Sequence, residues 1–247
     1  TLTAGPLVIG KNLEIAGPGP KELTISGNHA GRVFVVQNTP PDTSVTISGM
    51  TISKGLANFD PSFTPPLPQG LGGGILNRLA GRLTLSNVTV SDSQALGDAG
   101  RNPAGYYGAG YGGGVANLGG ALWVIDSTFK GNLARGGDGS VGPVAGIGGG
   151  GALFNSGYAS IEGSRFTRNQ AIGGNGCSGA FLTGHGAAGA ILSGGFATTL
   201  LDVRESVFDH NQVIGGDGNQ TVAPGGLGPG KASGGAVDIT GGTGTFS

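Results

Sequence analysis

The sequence has very little cysteine, tryptophan, methionine or charge. Its single cysteine, Cys177, excludes an internal disulfide framework and a cysteine-based zinc site within one chain, and its glycine-rich setting favours an incidental thiol over a nucleophile. Only 11% of the residues are charged and the formal net charge is −1, so the chain lacks the basic stripe that nucleic-acid binding needs. No apolar run approaches the roughly 18 residues of a membrane-spanning helix, so we expect no membrane span in this segment.

Glycine and proline, by contrast, are abundant, with 56 and 13 of the 247 residues. Such a composition without any period would indicate disorder or low complexity. Here hydrophobic residues make up 37% of the chain and recur in phase. The sequence therefore predicts a folded repeat protein.

The clearest repeat is a Phe-x-x-Asn motif in the second half of the chain. It occupies residues 129–132, 166–169 and 208–211, at spacings of 37 and 42 residues. Val90 takes the place of the phenylalanine 39 residues earlier, and Ile52 and Ile25 fit the same place more weakly. The chain is therefore predicted to pass this corner about six times.

A Gly-Gly motif followed by an apolar residue recurs in step with the first. It occupies residues 72–75, 112–115, 150–153, 188–191 and 234–237, at spacings of 40, 38, 38 and 46 residues. The fourth copy begins with Ala188 instead of glycine. A short stretch of alternating apolar and polar residues, typical of a strand, follows each of the first four copies.

A period of about 40 residues fits several repeat architectures. Helical repeats are excluded because Gly, Thr, Ser and Val fill the periodic positions, and a propeller blade needs four hairpin-linked strands. The period has three short strands and one long glycine-rich excursion. This pattern predicts an all-β fold, a right-handed parallel β-helix of the kind seen in pectate lyases, with about six rungs and long Gly-rich loops on one side.

Stacked rungs would align the same position of each repeat in one column. Because successive rungs lie about 4.7–4.9 Å apart, each inward side chain contacts its counterpart in the next rung. We expect an aromatic column, in which each ring contributes about 1.5–3 kcal/mol by burial, and an asparagine column whose amides bond the backbone of the turn. The members of the two columns are Phe129, Phe166 and Phe208, and Asn132, Asn169 and Asn211.

We expect a single β-helix domain over residues 1–247, as a fragment of a longer chain. Residues 1–55 are predicted to form less regular N-terminal rungs, and residues 56–247 to form regular rungs with loop insertions. These insertions run about 17 to 23 residues from the corner to the Gly-Gly motif. Because insertions in a solenoid gather on one face, that loop face is the predicted binding surface.

The paired motifs, Phe-x-x-Asn and Gly-Gly-Ala followed by Ile, Leu or Val, resemble the repeats of polymorphic outer-membrane proteins. The resemblance extends from about residue 13 to the end of the chain. The early rungs depart from it because they lack the phenylalanine. It implies a secreted or surface-displayed region, often adhesive, with an extracellular or bacterial cell-surface location.

The starts of three insertions suggest a possible metal site. Asp138, Asn175 and Asp217 follow Gly-Gly in these loops, and two carboxylates around an amide could hold one calcium ion. The nonapeptide spacing of calcium-binding glycine repeats is absent. A plain turn is the alternative, because Asp and Asn tolerate the left-handed conformation.

Aromatic residues near the loops are the candidate ligand-binding residues. Tyr106, Tyr107, Tyr111 and Trp123 would form an exposed aromatic patch suited to a glycan or a surface protein. Alternatively, the tyrosines anchor a glycine-rich loop. The sequence leaves both interpretations open.

Catalytic candidates are few. Glu205, Asp209 and His210 bunch at the last full corner, where the alternative is a solvated turn, since their counterparts one rung earlier are Gly163, Thr167 and Arg168. Glu162 and Arg204 are predicted to be neighbours in an outward row and to form a surface salt bridge rather than an active site.

The most economical interpretation is a non-enzymatic β-helix, structural or adhesive, whose loop face binds a glycan or a surface protein and which needs no cofactor, calcium excepted. A polysaccharide-active enzyme, either a lyase or a glycosidase, is the first alternative. The second is a filament subunit that self-associates end to end through unpaired strand edges.

Overall fold

The computed structural model of the chain describes residues 1–37, 43–58, 69–78, 81–100, 108–222 and 228–247. These residues form strands and turns and contain no helix. All of the strand pairs are parallel, and successive passes of the chain stack on one another. The predicted all-β parallel β-helix is therefore confirmed.

The described residues contain thirty strands. The first fifteen are β1 (Leu7–Ile9), β2 (Leu13–Ala16), β3 (Thr24–Ser26), β4 (Phe34–Gln37), β5 (Ser44–Ser53), β6 (Leu56–Ala57), β7 (Gln69–Leu71), β8 (Ile75–Arg78), β9 (Arg82–Ser91), β10 (Gln94–Leu96), β11 (Ala109–Tyr111), β12 (Val115–Leu118), β13 (Ala121–Ile125), β14 (Thr128–Lys130) and β15 (Leu133–Arg135). The others are β16 (Val144–Ala145), β17 (Gly148–Gly149), β18 (Leu153–Asn155), β19 (Tyr158–Glu162), β20 (Arg165–Thr167), β21 (Gln170–Ile172), β22 (Ser178–Gly179), β23 (Leu182–Thr183), β24 (Gly186–Ala187), β25 (Ile191–Arg204), β26 (Val207–Asp209), β27 (Gln212–Ile214), β28 (Gln220–Thr221), β29 (Ala232–Ser233) and β30 (Val237–Phe246).

The corner that carries the Phe-x-x-Asn motif is crossed six times, which encloses five complete turns. The residues in register there are Ile25, Ile52, Val90, Phe129, Phe166 and Phe208. The three phenylalanine rings are stacked, with centroids 4.8 and 5.0 Å apart and interplanar angles of 12° and 10°. The predicted aromatic column is therefore present, and aliphatic side chains continue it towards the N-terminus.

The Gly-Gly motif forms the opposite corner. Its apolar residues align in strands β8, β12, β18, β25 and β30. The first glycine of the motif is left-handed, as at Gly112, where φ is +65° and an added Cβ would lie 2.1 Å from the carbonyl oxygen of Val115. Only a residue without a Cβ fits this turn without a shift. Ala188 nevertheless adopts the same conformation in the fourth copy, with φ of +57°.

Two further ladders run through the segments predicted as loop insertions. One follows the asparagine corner and contains β6, β10, β15, β21 and β27, while the other precedes the Gly-Gly motif and contains β7, β11, β17, β24 and β29. The expectation of three strands per period was therefore incomplete. Strands of two or three residues are too short to show an alternation of apolar and polar side chains, so the sequence pattern does not reveal them.

No helix in the described part of the chain is long and apolar enough to cross a membrane.

Candidate functional site

The asparagine column lies fully inside the corner. Asn169 donates from Nδ2 to the carbonyl oxygen of Phe129 at 3.1 Å and to Oδ1 of Asn211 at 2.9 Å. Its own Oδ1 accepts from the backbone N–H and from Nδ2 of Asn132, both at 3.0 Å. Ser93 continues the column one rung earlier, where its N–H donates to Oδ1 of Asn132 at 3.1 Å. These side chains hold the rungs in register, and Ser93, Asn132 and Asn169 are fully buried while Asn211 is partly buried.

A second amide column escaped the sequence analysis. Asn77 donates to Oδ1 of Asn117 at 2.7 Å, Asn117 donates to Oδ1 of Asn155 at 2.8 Å, and Asn155 donates to Oγ of Ser193 at 3.1 Å. All four residues are fully buried. The available signal was an asparagine two residues after the apolar residue of three successive Gly-Gly motifs.

The predicted metal residues lie in register at the start of the insertions. The backbone N–H of Asn175 donates to Oδ1 of Asp138 at 2.8 Å, and the N–H of Asp217 donates to Oδ1 of Asn175 at 2.8 Å. The second oxygen of Asp138 accepts from Arg135 at 2.8 Å. The bond from Asn175, supported by Arg135, holds the pKa of the Asp138 carboxyl below its ordinary value. Each side chain thus closes the turn of the next rung.

Metal-ligating groups are not concentrated in this region. Across the described residues, no group of three or more His, Cys, Asp or Glu side chains is arranged to hold a metal ion. Of the two carboxylates that the calcium hypothesis requires, that of Asp138 is engaged by the backbone N–H of Asn175 and by Arg135. This geometry favours the turn interpretation of the three residues.

The single thiol is buried within the insertions, next to Ala145. Cys177 is fully buried, and its Sγ lies 3.4 Å from the carbonyl oxygen of Gly137. Burial raises the pKa of this thiol, which favours the unreactive protonated form.

The structure places the candidate aromatic residues on different sheets. Tyr111, in β11, stacks on Phe154 with ring centroids 4.8 Å apart. Trp123, in β13, lies 5.5 Å from the ring of Tyr158, and the guanidinium of Arg82 sits 5.2 Å above its ring. Tyr106 and Tyr107 lie outside the described residues. Tyr111 therefore belongs to the loop side, and Trp123 to the outward face of the β9–β13–β19 sheet.

Two of the catalytic candidates, Glu205 and His210, lie on left-handed corner positions, and Asp209 directly precedes His210. His210 aligns with Lys54, Asp92, Gly131 and Arg168, all of which have φ between +51° and +63°. Glu205 occupies the same kind of position at the preceding corner, where φ is +46°. Asp209 contacts the imidazole of His210, and this pair is largely exposed to solvent. The counterparts of these residues one rung earlier are Gly163, Thr167 and Arg168, as predicted. The same left-handed turn recurs in other rungs with unrelated side chains.

The predicted pair between Glu162 and Arg204 needs a correction. The two residues are in register on neighbouring strands, but Arg204 bonds Asp202 on its own strand, with Nη2 to Oδ2 at 2.6 Å. Residues two apart in a strand point to the same face, so Asp202 is also within reach of the guanidinium. The bonds from Thr245 and from Arg204 hold the pKa of the Asp202 carboxyl below its ordinary value.

A cavity lies between the insertions and the Gly-Gly corner. We call it the corner groove. It has a volume of about 430 Å³ and is lined by Tyr111, Val144, Ile147, Leu182, His185, Ala187, Leu192, Ser233, Asp238 and Thr240. The insertions contribute seven of these ten residues, so the groove belongs to the predicted loop face.

Two facing rows of side chains create the groove. One row comes from the ladder before the Gly-Gly motif and the other from the ladder after it, so each pair is five residues apart along the chain. Large and small residues are matched across the corner. Gly149, for example, faces Phe154, and an added Cβ there would lie 2.7 Å from the ring of Tyr111. The final pair is polar, because Ser233 and Asp238 take the places of apolar residues.

This polar end contains a hydrogen-bonded chain. Oγ of Ser233 donates to Oδ2 of Asp238 at 2.6 Å, and Nε2 of His185 lies 3.1 Å from the same Oγ. Because the serine proton points to Asp238, Nε2 of His185 carries a proton and donates to Ser233. Burial lowers the pKa of His185, which outweighs the opposing charge of Asp238 and favours the neutral ring.

This order differs from that of a catalytic triad. In a triad the histidine lies between the carboxylate and the serine and removes the serine proton. Here the serine lies between the other two residues, so His185 has no access to that proton. The geometry supports recognition of a ligand better than nucleophilic attack.

A scan against protein-family models finds no match to this chain, and a search of the curated proteins finds none either.

Proposed function

We propose that this chain is a non-enzymatic β-helix of an extracellular or cell surface, structural or adhesive, that binds a partner through its loop face. The observation that carries the proposal is the corner groove, which the insertions build together with the solenoid wall. Its volume falls within the range of about 300–1,000 Å³ that is usual for ligand sites. The partner is a glycan or a surface protein.

The binding proposal is favoured over the polysaccharide lyase or glycosidase by the positions of the acidic residues. Glu205 and His210 occupy left-handed turn positions that other rungs fill with glycine, asparagine, aspartate, lysine or arginine, so the turn itself does not require a catalytic residue. A glycosidase needs two carboxyl groups that face each other across a sugar. The one carboxylate that lines the corner groove, Asp238, is bonded to Ser233.

The surface location rests on the resemblance of the paired motifs to outer-membrane protein repeats. A low content of charged residues and a stack of rungs with small turns are in keeping with such a passenger region. The solenoid would act as a rigid support that holds the loop face away from its point of attachment.

The whole chain should be tested on an array of glycans and, in parallel, for turnover of the same glycans. We expect retention on specific glycans without new reducing ends or unsaturated products. Product formation that disappears in Asp209→Asn or His210→Asn would replace this proposal with the enzyme alternative. Failure to bind any glycan or any protein of a cell surface would remove the adhesive proposal.

End-to-end self-association is the second proposal. Among the described strands, β30 pairs with β25 along one edge, and no described strand pairs with its other edge. Such an edge is a template for pairing with another chain. Static light scattering decides the matter, because a strictly monomeric species over a wide concentration range contradicts self-association.

A further inference from the structure

The corner groove has two chemically different walls. Aliphatic side chains and the ring of Tyr111, which is partly buried against Phe154, form the first wall. His185, Ser233, Asp238 and Thr240 form the second. A ligand that fits both walls needs an apolar face and an edge of hydrogen-bonding groups.

The polar wall has a defined hydrogen-bonding demand. The ring of His185 donates from Nε2 to Ser233, so its Nδ1 carries a lone pair and acts as an acceptor. Nδ1 is buried and has no hydrogen-bond partner among the described residues. Asp238 is also an acceptor and carries a negative charge. Of these two acceptors, the partly exposed carboxylate of Asp238 is the one that a ligand in the groove can reach, so a ligand that binds this wall needs donors.

We infer that the corner groove binds a neutral saccharide unit, whose ring packs against Tyr111 and Leu192 and whose hydroxyl groups donate to Asp238. A pyranose ring has an apolar face and a rim of hydroxyls, which matches the two walls. Asp238 disfavours a uronic acid or a phosphate, because like charges repel within a partly buried site. This inference rests on the proposed function and names the ligand class of its loop face.

The chain arrangement also accounts for the residue choices at this end of the groove. In the four earlier rungs the pairs across the corner are apolar or glycine, as with Leu71 and Leu76. Only the last pair, Ser233 and Asp238, is polar, and His185 from the previous rung reaches it. A merely structural corner would not need this change of chemistry in one rung.

Nitrogen NMR of the histidine side chains provides the most direct test, on the complete chain. The probes are neutral disaccharides, namely cellobiose, maltose, lactose and chitobiose, with digalacturonate as the charged comparison. We expect the free protein to show the Nε2–H tautomer of His185. A neutral disaccharide should then shift the ring nitrogen resonances of His185, which lines the groove and bonds Ser233, and leave those of the exposed His210 unchanged.

Variants give an independent measure. His185→Phe keeps a flat ring but removes the Nε2 donor that holds Ser233 beside Asp238, and we expect the affinity for the disaccharide to fall about three- to tenfold, as for loss of one hydrogen bond. His210→Asn is the matched control, because asparagine tolerates the left-handed turn there, and its affinity should equal that of the wild type. If His185→Phe does not fold, the resonance shift in the wild type still decides.

Several outcomes overturn the inference but leave the proposed function standing. These are glycan binding without any change at His185, a tautomer with the proton on Nδ1, and a preference for digalacturonate or for peptides. Absence of binding to any glycan or cell-surface protein is a different result, because it removes the proposed function itself.

Discussion

Replacement of Asn169 by alanine tests the asparagine column quantitatively. The side chain makes four hydrogen bonds inside the corner, two donated and two accepted. Its removal leaves the buried N–H of Asn132 without its acceptor, which alone costs about 1–3 kcal/mol. The other three bonds contribute about 0.5–1.5 kcal/mol each. We therefore expect a loss of at least about 2 kcal/mol from a total stability of about 5–15 kcal/mol.

The neighbouring residue supplies a matched control. Gln170 also bonds its counterpart in the next rung, with Nε2 to Oε1 of Gln212 at 2.9 Å, but at the solvent-facing side. Gln170→Ala should change the stability by no more than about 0.5 kcal/mol. Asn169→Ser should fall between the two variants, because Ser93 already occupies this column.

Equilibrium urea unfolding, followed by far-ultraviolet circular dichroism, measures the difference. With a urea dependence of about 1–3 kcal/mol per molar, the midpoint of Asn169→Ala should fall by about 0.7–2 M. Hydrogen exchange of the rungs on either side shows whether the loss is local or global. Equal midpoints for Asn169→Ala and Gln170→Ala would refute the assignment of the column as the main polar support of the corner.

Three further predictions concern the turns, His185 and calcium. Gly112→Ala should destabilise the fold by clearly more than Gly119→Ala. Both glycines are left-handed, which costs alanine about 1–2 kcal/mol, but only Gly112 has a carbonyl oxygen 2.1 Å from the added Cβ. Equal thermal midpoints of the two variants would contradict this prediction. Burial lowers the folded-state pKa of His185, so the unfolded chain takes up the proton first as the pH falls below about 6.5. The contribution of His185 to the free energy of unfolding is therefore complete above that pH and is lost as the pH falls towards the folded-state pKa. The urea midpoint should therefore decrease as the pH is lowered from about 7.5 to about 5, and it should decrease less in His185→Phe. An identical decrease in the variant would show that other groups cause the loss of stability. Calcium should leave the thermal midpoint unchanged, because the oxygens of Asp138 are engaged; a midpoint that rises with calcium concentration and no longer does so in Asp138→Ala would restore the metal hypothesis.

Much of the solenoid could be predicted because its interior repeats in register. A phenylalanine that returns every rung must meet its counterpart, so Phe129, Phe166 and Phe208 could be aligned from spacing alone. The asparagine that follows three residues later was found for the same reason. The second column, from Asn77 to Asn155, was missed because the Gly-Gly motif was not extended by two residues.

The corner groove could not be predicted from the sequence. Its walls are residues five apart on either side of a glycine turn, and their pairing depends on how the insertions fold back onto the solenoid. Insertions of two- and three-residue strands follow neither helical nor strand periodicity. His185 meets Ser233 across 48 residues, and no local pattern marks that contact. The sequence indicated the correct side of the molecule and, of the residues that line the groove, only Tyr111.

The central claim is that this β-helix binds a partner at its loop face and does not process it at the exposed corner. Hydrogen exchange measured by mass spectrometry, with and without a bound glycan, tests this directly. We predict protection in residues 144–147, 182–187 and 233–240, with residues 205–210 unaffected. Protection centred on residues 205–210, together with cleavage of the glycan, would contradict the account.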